Sequence, residues 1–138
     1  RTNIAPSYNA PPEQVMVAFA YTVPSGTSRP TFVVYSGTPA GVRQGEATAD
    51  AIREQVAWMV NSLEGRMKEL GVSWNLTTDF IAYTPFDIEP ALRAEVIPKI
   101  GTAVGNGIRW FPGHAPVGGG GLEMGTYGII QDIRVAVE

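Results

Sequence analysis

Between Thr48 and Gly71 the chain leaves itself little freedom. Ile52, Val56, Met59, Val60, Leu63, Met67 and Leu70 recur at steps of 4, 3, 1, 3, 4 and 3, which lays them along one face of a helix. Thr48 or Asp50 can cap its start. Gly71 supplies the stop, because glycine enters the left-handed C-cap at little cost. A helix that is apolar on one side only must bury that side against another layer. The neighbouring segments say what the layer is. Val15 to Thr22 (VMVAFAYT), Thr31 to Ser36 (TFVVYS), Trp74 to Tyr83 (WNLTTDFIAY) and Ile108 to Phe111 (IRWF) are short and rich in Val and aromatic residues. They read as strands, the first apolar on both alternating faces and so covered on both sides. The first two form a hairpin with a long connection. In the third, Leu76, Thr78, Phe80 and Ala82 share a face.

A second helix is predicted after Asp87, which can cap it. Glu89 and Pro90 suit its first turn, and Leu92, Val96, Ile100 and Val104 step by 4 along one side. Pro98 falls inside this pattern, where it removes a hydrogen bond and should kink or interrupt the helix. Leu122 to Val137 contains one long strand or two short ones. The expected order is β-β-α-β-α-β-β, an α+β fold with two helices on one face of a mixed sheet. Residues 1–14, with three Pro and two Asn, read as an N-terminal arm, and residues 15–138 as a single domain. The other face of the sheet still needs cover, and its apolar residues lead to the expectation of an oligomer.

Composition narrows the chemistry. The 138 residues include one His and no Cys, so zinc knuckles, thiol nucleophiles and His-rich metal sites are excluded. Ten basic against thirteen acidic residues give a net charge of −3, which argues against nucleic acid as a partner. No 18-residue apolar run marks a membrane span. Cysteine-free composition fits a reducing compartment, and a cytoplasmic location is expected. The chain opens on Arg1 rather than Met, from which trimming or processing is expected.

Few residues remain to carry a reaction. Gly118 to Gly121 precede a strand rather than a helix, so they do not make a phosphate-binding loop. The sequence Asn75-Leu76-Thr77 matches a glycosylation site by chance. His114, in a turn-like Phe-Pro-Gly-His-Ala-Pro setting, has no elbow or paired acid to complete a triad. Arg109 and Glu123 are more informative. Arg109 lies among Ile108, Trp110 and Phe111, where an unpaired guanidinium is costly and a planar carboxylate fits its fork. Glu123 stands between Leu122 and Met124, a setting that would raise its pKa and suit it to moving protons or holding a water. The residues alone leave open that the two merely pair with each other or with solvent.

The order and spacing of several short motifs resemble the Rid/YjgF family of imine and enamine deaminases over roughly residues 15–138. Tyr35-Ser36-Gly37-Thr38 is similar to the family's strand-ending Ser-Gly-Gln segment. Gln55, Leu63 and Leu70-Gly71 follow its helix pattern, and Thr77 to Tyr83 takes the place of its central strand. Arg109 stands where the family has the Arg of a Pro-x-Arg segment, with Gly107 and Ile108 before it here. Pro116, seven residues ahead of Glu123, resembles the family's Leu-Pro…Val-Glu-Ile-Glu ending. The resemblance implies a chorismate-mutase-like, YjgF-like fold, assembled as a homotrimer whose sheets form a central barrel with ligand clefts between subunits. It implies that Arg109 clamps the substrate carboxylate and that Glu123 positions the water that attacks an imine carbon, with release of ammonia and with no metal or organic cofactor. Backbone near Gly37 would line the cleft. Tyr21 would stand for a family aromatic, displaced by about two residues. Thr38 replaces the Gln, and the bulky Trp110 to His114 segment would reshape the pocket, with Trp110 and His114 touching a larger substrate such as an aminomuconate-type ring-cleavage product. Two other readings stay open: a non-catalytic trimer that binds a small carboxylate for regulation, and a structural subunit with closed clefts.

Overall fold

The structure, a computed structural model, describes residues 23–39, 41–113 and 121–131. These form strand β1 (Phe32–Tyr35), helix α1 (Ala49–Glu69), strand β2 (Asp79–Tyr83), a broken helical stretch, strand β3 (Ile108–Phe111) and strand β4 (Glu123–Gly128). The arm, the predicted strand at 15–22 with its hairpin, Tyr21, His114, Gly118 to Gly120 and the stretch 132–138 lie outside the described residues.

Helix α1 starts where a short polar side chain can replace a missing backbone partner. Thr48 is extended and its hydroxyl accepts from the Ala51 N–H at 3.3 Å, so Thr48 and not Asp50 is the cap. Asp50 instead sits in the first turn, and Arg66 and Lys68 sit in the last, each charge opposing the nearer end of the helix dipole. Gly71 ends the run at φ +70°. Six of the seven periodic residues are buried; Leu70 lies beyond the last turn and is exposed.

The third predicted strand begins later than expected. Residues Trp74–Leu76 make a 3-10 turn, because the buried Trp74 packs beside Phe80 and directs its indole N–H to Glu64 of α1. The strand proper starts at Asp79, and Phe80 and Ala82 then face the helices as predicted. Thr77 of the formal glycosylation sequence is buried, its hydroxyl bonded to that of Thr126.

The second helical stretch is interrupted where the proline requires it. It runs as an α turn (Glu89–Ala91), a π segment (Leu92–Val96), a second α turn (Ile97–Ile100) and a 3-10 segment (Gly101–Asn106). Asp87 does accept from the Glu89 N–H at 3.0 Å, one residue ahead of the cap position. Pro98 has no N–H to offer the preceding turn, and the wider π winding falls immediately before it. Leu92, Val96 and Ile100 reach the core. Val104 does not, because the change of winding turns Ala103 inward in its place.

The sheet is mixed, in the order β1-β4-β2-β3. The β2–β3 pair is parallel and the helical stretch between them is its crossover, while β4 runs antiparallel to both β1 and β2. Phe32, Val34, Phe80, Ala82 and Met124 pack against α1 and the second helical stretch in one core. A four-stranded sheet covered by helices on one side is thus the observed α+β architecture. The opposite, helix-free face carries Arg109, Glu123 and several phenols.

Candidate functional site

Strand alternation sorts the polar residues. The register places Asp79, Ile81 and Tyr83 of β2 opposite Tyr127, Gly125 and Glu123 of β4. Tyr35 of β1 lies beside Gly125, and Arg109 and Phe111 of β3 lie beside Ile81 and Tyr83. All of these side chains therefore share the helix-free face. Arg109 and Glu123 are among them, as the sequence suggested. Their strands flank β2 and their positions are two residues out of step, which separates their Cα atoms by roughly 12 Å. A small molecule can bridge that distance.

Arg109 does not pair with Glu123. Its Nε donates to Asp79 Oδ1 at 2.9 Å and its Nη2 to Asp79 Oδ2. The Arg109 guanidinium also lies 5.9 Å from the centre of the Phe111 ring, within the range of a cation–π contact. Asp79 thus holds the Nε–Nη2 edge of the fork, while the Arg109 side chain stays about half exposed. Glu123, at the start of β4, is buried to 5% exposure.

The same face carries a tyrosine cluster that the sequence reading missed. The Tyr35 and Tyr127 hydroxyls are hydrogen-bonded, with their rings edge to face at 5.8 Å. Tyr83 lies beside Tyr35 and stacks on Phe111 at 5.4 Å. The arrangement depends on Gly125: a Cβ there would stand 2.8 Å from the Tyr35 ring, so only glycine lets that ring lie across β4. Burial pushes the Tyr127 phenol well above its ordinary value, and its bond to Tyr35 adds to the effect, while the Arg109 charge pulls weakly the other way. Burial also raises Tyr83. Both phenols stay neutral donors.

The other expected residues are placed as follows. Gly37 turns at φ +75° directly after β1. That turn is pinned by Ser36, whose N–H and hydroxyl both bond to the Met124 backbone, and by Arg66 Nη1 donating to the Tyr35 carbonyl at 2.5 Å. Trp110 is not brought together with Arg109. Adjacent strand positions point to opposite faces, and the Trp110 indole donates to the Thr84 carbonyl at 2.9 Å. A groove of ≈ 380 Å³ on the helix side is lined by Arg43, Asp50, Arg53, Glu54, Ala57 and Glu95. Its guanidiniums are already matched to Glu54 and Glu95. No group of three metal-ligating side chains occurs among the described residues, and no helix among them is long and apolar enough to cross a membrane.

These features define a two-layer α+β protein whose ionisable and phenolic groups gather on the helix-free face of a mixed sheet. The family model described as 2-aminomuconate deaminase CnbZ matches residues 1–133, and the chain belongs to that family. It is similar to a 2-amino-5-chloromuconate deaminase of Comamonas testosteroni, with 31% identity over 144 residues, 96% of this chain and 57% of the relative. The chain therefore spans little more than half the length of that curated relative. No solved structure matches it.

Proposed function

We propose that the chain is a deaminase of 2-aminomuconate-type compounds, built on the Rid/YjgF plan, working as a cytoplasmic homotrimer without metal or organic cofactor. The observation that carries the reading is the sharing of one helix-free sheet face by the half-exposed side chain of Arg109 and the buried carboxylate of Glu123, in a chain whose family is named for this activity.

The reaction follows from those two groups. The enamine tautomerises to an imine as a proton moves to carbon. Arg109 holds the carboxylate next to the imine carbon. Glu123 takes a proton from a water, whose oxygen bonds to the imine carbon and gives a carbinolamine. The same proton passes to nitrogen, completing the carbinolamine; Glu123 then carries the hydroxyl proton to nitrogen, the C–N bond breaks as the C=O bond forms, and ammonia and a 2-oxo acid remain. Holding the carboxylate beside a placed water supplies orientation, a contribution of several kcal/mol. The Gly37 backbone lines the pocket in this reading.

The test is ammonia release from 2-aminomuconate by the full chain. Arg109→Ala raises KM by about tenfold or more through loss of a charge-assisted pair. Glu123→Gln lowers kcat by about a hundredfold through loss of the acid–base group. Near wild-type rates in both variants, on a substrate the native protein turns over, would sink the proposal.

A further inference from the structure

A muconate skeleton carries a carboxylate at each end, and Arg109 accounts for one. On the helix-free face the described charged residues are one guanidinium and two carboxylates, Asp79 and Glu123, and Asp79 already occupies half of the fork. A second cation for the far carboxylate is therefore absent among the described residues of this face. Neutral donors are present instead. Tyr35 reaches across Gly125 and bonds to Tyr127, with Tyr83 beside it, so three phenolic hydroxyls gather on this face. Such a cluster can turn a donor toward an anion laid over it, and linked hydroxyls strengthen one another. Tyr127 lies across from Asp79, the partner of Arg109, while Tyr83 lies across from Glu123. The cluster thus reaches from the Asp79 end of the face to the Glu123 end, on the β1 side of Arg109.

We propose that Tyr35, Tyr83 and Tyr127 form the binding site for the second carboxylate and so select dicarboxylates over monocarboxylates. The proposal rests on the reading of this face as the substrate face. Burial and contact with Tyr35 keep Tyr83 and Tyr127 protonated, which is the state an anion requires of its donors.

Calorimetric binding of muconate and of sorbate, the same six-carbon diene with one carboxylate, separates the outcomes without turnover. The full native chain binds muconate at least about tenfold tighter than sorbate, the range expected for hydrogen bonds to a charged group. Tyr127→Phe and Tyr83→Phe each weaken muconate by about tenfold and leave sorbate within about twofold. The rings keep their packing in both variants, circular dichroism verifies the fold, and either variant alone suffices if the other fails to fold. Equal affinity for the two ligands, no muconate binding, or equal weakening of both would overturn the proposal. Loss of the deaminase reading looks different: no ammonia is released from 2-aminomuconate, yet the muconate preference and its dependence on Tyr127 persist.

Discussion

Tyr83 and Tyr127 report the state of the site before any ligand is added. Both phenols are raised, first by burial and then by contact with Tyr35. A raised acid favours the folded form fully below its unfolded value near pH 10, and that contribution disappears as pH climbs through the higher folded values. In a tyrosinate absorbance titration of the folded chain, at least two of the five tyrosines ionise later than in denaturant, and unfolding begins as they do. Simultaneous ionisation of all five at the denatured value would contradict the cluster. Arg109 and Glu123 stood out in the sequence because each is a charged side chain among apolar neighbours. The phenols and Asp79 did not stand out. Each looks ordinary in its own strand, and only the register sets residues 35, 79, 83 and 127 side by side. Alternation was nevertheless available as a signal: Asp79, Tyr83, Arg109 and Phe111 occupy the parity opposite to Phe80, Ala82 and Ile108. The same rule separates Trp110 from Arg109, and the motif resemblance obscured it.

Helix α1 was the most readable element, since period, cap and stop all agreed, and its buried residues follow the period up to Met67. The choice between Thr48 and Asp50 needed geometry. Thr48→Ala removes the hydroxyl that accepts from Ala51 and costs about 1 kcal/mol in denaturant unfolding. Asp50→Ala loses a dipole interaction alone, about 0.3–1 kcal/mol, and less at high salt. A larger cost at Asp50 would reverse the assignment. The second helical stretch was legible only up to its proline. Pro98 announces a break, but neither its form nor the substitution of Ala103 for Val104 in the core can be counted off at steps of four. The late start of β2 has a similar cause: a buried Trp74 outweighs the strand propensity of its neighbours.

For the molecule as a whole, the helix-free side sets the expected assembly. Val33 is 57% exposed and Phe111 42% on that face, and Ile129 and Ile130 continue the apolar surface past β4. Such a surface is costly in water unless another copy covers it. Sedimentation equilibrium is expected to give three times the chain mass, and Val33→Asp to shift the population toward monomer. A monomer at all concentrations would remove the trimer from the proposed function. The layer arrangement followed from the alternation of strand-like and helical segments, whereas the strand order did not, because pairing β4 between β1 and β2 joins residues about ninety positions apart. That order has a further consequence. The parallel β2 and β3 both end where antiparallel β4 begins, so Tyr83, Phe111 and Glu123 stand at the same end of the sheet. The connection from β3 to β4 leaves and returns there, beside the acid. Only the two ends of that connection belong to the sheet, so a change of length within it leaves the pairing of β2, β3 and β4 unaltered.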